Sequence, residues 1–358
     1  MSAPLQPLPL PSATVLETPA VLRQLTKSHR QLAELKGVAG TIPNESILID
    51  TLALQEAKDS SEIENIVTTE DELFQGDPTA SLFPSLGAKE VHRYADALKF
   101  GFARIREQRF LRLDDLLVIQ GTLLDSRVGL RTLAGTALRN QETGAVIYTP
   151  PQEADEIVRL MDNFLEHFHL SDEADAPDPL VRMAVLHHQF ESIHPFYDGN
   201  GRSGRILNLL HLVLHGLLDL PVLYLSRYIV RNKADYYHHL QTVRDTGAWD
   251  AWVLYMLRAV EETSRQTVAQ IHGIRELMQA TKHRLRSEMP RIYSQDLINN
   301  LFRHPYTKID FIERDLDVSR LTATKYLDQL CSKGFVRKVK LGRTNFYINE
   351  PLFKLLST

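Results

Sequence analysis

Apolar residues recur at intervals of three and four along most of this chain, and the pattern predicts helices over residues 46–66, 88–107, 153–170, 179–193, 203–218, 233–245 and 248–284. Alternation takes over in one place. Residues 136–139 and 145–148 flank a polar, turn-like Asn140-Gln-Glu-Thr-Gly stretch, which predicts a β-hairpin within 135–151. After Pro290 the pattern changes again, to helices over 294–303, 309–316 and 320–333, with Ser319 as the cap of the third. Two strands follow, over 335–341 and 344–348, meeting at Gly342 and Arg343. The expected protein is mainly α, with a hairpin in its body and a small α+β tail.

Residues 206–225 are apolar enough to suggest a membrane span. Asn208, His211, His215 and Asp219 interrupt the run on one helical face and Pro221 ends it, so a buried helix with one polar stripe is the better reading. Residues 1–22 are punctuated by proline and read as an irregular arm rather than a targeting segment. The single cysteine, Cys331, excludes a disulfide framework and any cysteine-based zinc site. A cytoplasmic protein without a membrane partner is expected. At 358 residues the chain is too long for one ordinary core. Its net charge of −4 is also uneven: residues 291–358 hold 12 Lys and Arg against 7 Asp and Glu, leaving 29 against 38 for the rest. The basic tail therefore faces a different task from the acidic body.

The most informative segment, residues 193–205, reads Ile-His-Pro-Phe-Tyr-Asp-Gly-Asn-Gly-Arg-Ser-Gly-Arg and joins two apolar helical patterns. Gly199 and Gly201 let the backbone turn sharply and present N–H groups at the start of the next helix, which makes an anion cradle. Arg202 and Arg205 lie in the first turns of that helix, where cations oppose the macrodipole unless an anion is bound. Asp198 offers a hard oxygen for a magnesium ion shared with phosphates, and His194 can accept a proton near neutral pH. His187 and His188 read as satisfied core histidines, because no nearby Cys or carboxylate completes a metal ligand set with His194.

The order His194, Pro195, Phe196, Asp198, Gly199, Asn200, Gly201, Arg202 and Arg205 matches the signature HPFx(D/E)GNGRxxR, and by it the chain resembles the Fic family. That resemblance extends over residues 45–260 and implies a protein adenylyltransferase, which moves AMP from ATP to a Ser, Thr or Tyr hydroxyl of a target protein or of itself. It implies His194 as the base and Asp198 as the Mg²⁺ ligand. The ATP site it implies comprises Gly199, Asn200, Gly201, Arg202, Ser203, Gly204 and Arg205. Family members that transfer other groups replace the second glycine, so Gly201 favours AMP. The expected organisation is an arm and helix over 1–45, a helical segment over 46–110, the Fic core over 111–260, a connecting helix over 261–289 and the tail over 290–358.

Ser60, Glu64 and Asn65 match the family's inhibitory motif (S/T)xxxE(G/N), with Ser60 and Glu64 expected on one helical face. The resemblance implies that Glu64 pairs with Arg205 in the space of the γ-phosphate and so belongs to the ATP site. It also makes the 135–151 hairpin a flap that pairs with the target backbone, and puts Tyr237 against the nucleotide. Two other readings stay open: a DNA-binding regulator whose Fic pocket senses nucleotide, and an enzyme that removes AMP. The tail resembles a winged helix-turn-helix domain. Arg320, Thr322, Thr324, Lys325, Lys338, Lys340 and Arg343 would be its DNA contacts. Recruitment of a protein partner and a homodimer element are the other two readings of the tail. Every residue assigned to ATP lies before Pro290, so the tail is not expected to support the active site.

Overall fold

The computed structural model describes residues 5–8, 13–76, 82–126, 128–139, 143–170, 176–342 and 344–357. A short turn, α1 (Ala13–Leu16), leads into α2 (Pro19–Ala39), α3 (Glu45–Ile63), α4 (Glu70–Gln75), α5 (Leu86–Gln108) and α6 (Leu113–Leu124). The hairpin strands β1 (Leu138–Arg139) and β2 (Val146–Tyr148) interrupt the helices. There follow α7 (Ala154–Phe168), α8 (Pro179–Ile193), α9 (Asn200–Leu214), α10 (Leu225–Arg231), α11 (Lys233–Thr246) and α12 (Asp250–Glu288). The tail contains α13 (Gln295–Arg303), β3 (Tyr306–Thr307), α14 (Ile309–Leu316), α15 (Arg320–Ser332), β4 (Arg337–Leu341), β5 (Thr344–Ile348) and α16 (Glu350–Leu356).

The centre of the body is α8 against α9, and both helices are buried almost all round. Their sequence had to be apolar on every face, which is why 206–225 resembles a span. The polar stripe of α9 is satisfied by neighbours: Asn208 bonds His187 at 3.1 Å, and His211 and the capping His215 reach the carbonyls of Pro179 and Phe168 at 2.9 and 3.0 Å. Among the described residues no helix is long and apolar enough to cross a membrane. Along one side runs α12, 39 residues and about 60 Å long at the usual helical rise. Its Trp252 Nε1 donates to the carbonyl of Ala184 on α8 at 2.7 Å, while α2 packs along it through Ser28, whose hydroxyl donates to Leu257 O at 2.8 Å. The 260/261 division drawn from sequence falls inside this one continuous helix.

The tail forms four helices and a three-stranded antiparallel sheet in the order β3-β5-β4, an arrangement consistent with a winged helix. Ser294 and Ser319 cap α13 and α15 through the amides of Leu297 and Thr322. Such caps contribute about 1 kcal/mol each. Arg343 lies outside the described residues, as do 140–142 of the hairpin loop. The tail is not a free appendage. Arg303 pairs with Asp50 of α3, which also holds Lys99 at 2.5 Å, and Tyr306 donates to Asp71. From the last helix, the Leu356 carbonyl accepts from Gln55 of α3 and the Leu355 carbonyl from Gln270 of α12 at 3.2 Å. A Cβ at Gly273 would stand 2.8 Å from Leu355, so the glycine lets α16 close on α12. These contacts fall on α3, α4 and α12 and reach none of the residues assigned to ATP.

Candidate active site

Helix α8 ends in a residue that is not glycine yet adopts the left-handed conformation: His194 has φ 50° and ψ 58°. A left-handed residue is a common way to end a helix, and here it turns the chain from α8 into the six residues that lead to α9. The imidazole is sheltered, and its Nδ1 has no hydrogen-bond partner among the described residues. Burial, reinforced by the positive charges of Arg131 and Arg244, lowers its pKa to about 4, so the ring is neutral at physiological pH. A neutral, half-buried imidazole can accept a proton.

In the loop that follows, Asn200 folds its side chain back. It donates to Phe196 O at 2.8 Å and accepts from Phe196 N–H at 2.8 Å. The asparagine side chain thus shapes the loop, leaving its backbone N–H for an anion. Gly199 caps α9 with φ 79°, donating to Asp198 Oδ1 at 2.6 Å, and Asp198 is otherwise exposed beside the cradle. Gly201 stands in the first turn, where the N–H groups lack intrahelical acceptors. Arg202 turns away to Glu90 on α5 at 3.0 Å. Ser203 is wholly buried, and Gly204 faces α8, where a Cβ would meet Glu191 and Phe190 at 3.1 Å. At these two positions the side-chain direction is toward the core, so any part they take in the cradle falls to their backbone.

Arg205 points into the site from the second turn, its side chain 1% exposed. Its Nε donates to Ser60 Oγ at 2.8 Å, and its Nη2 to Ser60 O and Glu64 Oε1, both at 2.9 Å. Burial acts to raise the Glu64 carboxyl, but Arg205, Arg202 and Lys233 outweigh it and leave the pKa below the ordinary value. The carboxylate lies against Gly201, in the space a Cβ there would need. An anion of this protein therefore sits at the positive end of α9. Helix α3 closes at Ile63 with Glu64 as its C-cap, and Ser60 and Glu64 both face Arg205. Asn65 then takes φ 63°, a conformation its short side chain tolerates, and Lys233 Nζ caps the helix end through Ile63 O at 2.7 Å.

One turn before Ser60, Glu56 is wholly buried and accepts from the amide and hydroxyl of Ser226. Burial raises its pKa to about 8. Tyr237 on α11 lies edge-on to Tyr236, with half its surface exposed. Burial of its hydroxyl and the Glu64 charge push that group up to about 12. His187 Nε2 pairs with Tyr236 Oη at 2.7 Å and His188 Nε2 with Leu240 O at 3.3 Å, with burial lowering both rings to about 3. They are core histidines, as expected. The hairpin stands beside His194, with Leu138 opposite Tyr148 and Arg139 opposite Val146, and its Val146 and Ile147 are about half exposed. Sequence patterning missed Arg131, Tyr148 and Arg244, which surround His194 from three different elements.

Three family models match the chain in order: the Fic/DOC family N-terminal model over residues 22–103, the Fic/DOC family model over 110–212, and the C-terminal domain of SoFic-like protein adenylyltransferases over 277–352. The chain belongs to the Fic family. A protein adenylyltransferase Fic of Drosophila mojavensis is 26% identical over 167 residues, 47% of this chain and 31% of that one. Protein adenylyltransferase fic-1 of Caenorhabditis briggsae is 33% identical over 100 residues, 28% and 18% of the two chains. The Fic chain described here thus spans less than a third of the length of either relative. Its fold matches the crystal structure of a Fic family protein from Desulfovibrio desulfuricans with a TM-score of 0.58 at 20% identity, covering 92% of this chain and 96% of that one. Fic-1 of Caenorhabditis elegans gives 0.54 at 20% identity, covering 72% and 73%.

Proposed function

We propose that this Fic protein is an autoinhibited protein adenylyltransferase that moves AMP from ATP to a Ser, Thr or Tyr hydroxyl of a target protein. One observation carries the reading: a carboxylate of the chain itself, Glu64, lies in an anion cradle beside a neutral, sheltered histidine. When Glu64 withdraws, Arg205 and the first-turn amides of α9 are left to bind phosphate oxygens. His194 takes the proton of the target hydroxyl as its oxygen bonds the α-phosphorus. The bond from that phosphorus to the α–β bridging oxygen breaks, and pyrophosphate leaves with the electron pair. The protein supplies placement and charge.

Asp198 suits a Mg²⁺ ion, since its carboxylate is exposed beside the cradle with one oxygen engaged by Gly199. Among the described residues no three His, Cys, Asp or Glu side chains form a metal cluster, so Asp198 would hold an ion shared with the phosphates, whose charge it would neutralise. The test is incubation with ATP labelled at the α-phosphate. The Glu64→Gly form should label itself and other proteins more than the parent. Adding His194→Ala should cost about 10²- to 10⁴-fold while nucleotide still binds. Equal labelling of parent and Glu64→Gly would remove the inhibitory reading.

For the tail, the charge pattern favours a protein partner or a structural role over DNA. Arg320 is held by Asp310 at 2.6 Å and Glu313 at 3.1 Å, and Lys338 by Asp328 at 3.1 Å. Cations paired in this way have less to offer phosphates. Binding to duplex DNA that weakens steeply with salt would reverse this preference.

A further inference from the structure

The end of α8 leaves the four carbonyls from Glu191 to His194 without intrahelical partners, and that of Pro195 follows them in the loop. A donor from elsewhere in the chain meets each one. Arg244 Nη2 reaches Glu191 O at 3.2 Å, and the Tyr148 hydroxyl reaches Ser192 O at 3.0 Å. Arg131 serves the other three, with Nη2 to Ile193 O at 3.1 Å, Nε to His194 O at 2.7 Å and its backbone N–H to Pro195 O at 2.9 Å. The same Nη2 also donates to Pro151 O, at the root of the hairpin. Arg131 is fully buried, and each hydrogen bond it donates among the described residues goes to a main-chain carbonyl. A planar fork of donors can serve several carbonyls at once, and a cation is favoured at a helix C-terminus.

We infer that Arg131 is the positioning residue of the transfer reaction: it holds His194 in its left-handed turn and locks that turn to the root of the flap. Such a turn costs about 1–2 kcal/mol for a residue other than glycine, so something must hold it. Arg131 fixes the carbonyls on either side of the imidazole-bearing carbon. Four charged or titratable groups bear on the ring: Arg131 from the loop before the flap, Arg244 from α11, Glu64 from the end of α3 and the sheltered Glu191 of α8. The two arginines favour the neutral ring and Glu64 opposes them. Arg131 thus fixes the place of the base and adds its charge to the burial that keeps the ring neutral.

The kinetic part of this inference rests on the adenylyltransferase reading, and the structural part does not. In the full-length Glu64→Gly background, Arg131→Lys keeps the charge but loses the fork. It should lower kcat by about 10²-fold, the scale of a misplaced reacting group, with the KM for ATP unchanged. Arg131→Gln should lower kcat as much and also raise the His194 pKa toward 6.5. That pKa is read by NMR of ¹³C-labelled histidine, with the resonance assigned by its loss in His194→Ala. A kcat within twofold of the background in a folded variant, or a loss seen only in KM, would overturn the proposal. Should Arg131→Gln fail to fold, Arg131→Lys decides by the same kinetic split. Should the background label nothing, the adenylyltransferase reading falls, and the NMR titration still tests Arg131: an unchanged His194 pKa in Arg131→Gln would overturn it.

Discussion

Glu64 Oε1 occupies the space that a Cβ on Gly201 would need. Gly201 has an ordinary helical backbone, so alanine adds no backbone strain there, and its methyl group would crowd Arg205 Nη1 as well, at 2.9 Å. The carboxylate and the methyl cannot share that position. Gly201→Ala should therefore loosen the Glu64–Arg205 pair without activating the protein, because the methyl group itself blocks the cradle. The double variant with Glu64→Gly should bind ATP at least tenfold more weakly than Glu64→Gly alone. Equal affinity, measured by calorimetry, would show that phosphates do not approach Gly201.

The pH dependence of transfer follows from His194. Burial together with Arg131 and Arg244 depresses its pKa to about 4, so the base is neutral well below the usual histidine range. The acid limb of the kcat profile for the Glu64→Gly form should therefore lie well below 6.5, leaving the rate nearly flat from pH 8 to pH 6. A limb centred near 6.5 would show that the imidazole is not sheltered in the working enzyme.

Glu56 makes the opposite kind of prediction. Its pKa is raised to about 8 by burial, against 4.5 for an ordinary glutamate. Between those values the folded state keeps a proton that the unfolded state has lost, so stability falls as pH rises through that window. Glu56→Gln mimics the protonated form. It should leave the melting temperature unchanged at pH 5 and raise it at pH 8. The reverse pattern would mean that Glu56 is ionised in the folded protein.

Removal of residues 290–358 should do more than delete a binding module. It takes Arg303 from Asp50 and the Leu356 carbonyl from Gln55 on α3, and it removes the Leu355 cover over Gly273. We expect a melting temperature lower by about 5 °C or more. With Glu64 intact, the shortened chain should also show more auto-labelling than the full one at a temperature where it remains folded. Unchanged melting and unchanged labelling would show that the tail rests on the body without supporting it.

How far the sequence discloses this structure depends on how local each cause is. Long amphipathic stripes gave α5, α7 and α12, and the serines at 294 and 319 marked the starts of α13 and α15. Helix α6 was missed because Leu116, Leu117, Val118 and Ile119 run consecutively and blur the stripe. Helices α4, α10 and α16 are too short to show a period. At the site, the motif put His194, Asp198, Gly199, Gly201 and Arg205 around one loop, because their spacing is set by a single helix start. It could not tell that Gly204 turns inward or that Arg202 reaches Glu90. Arg131, Tyr148 and Arg244 were invisible for another reason: they lie 63, 46 and 50 positions from His194, and only the folded chain brings them to the carbonyls at the end of α8.

The middle of α3 is gripped by the tail at Asp50 and Gln55, and its C-terminal end carries the residue that fills the cradle. If α3 moves as a rod when Glu64 is displaced, nucleotide and tail compete for one mechanical element about 20 Å long, taking the rise from Asp50 to Glu64. Linkage then runs both ways by the same factor. A partner that pulls the tail away from Asp50 and Gln55 would tighten ATP binding, and saturating ATP would in turn strengthen the hold of that partner. The cell's nucleotide level would then be felt at a surface with no contact to the nucleotide.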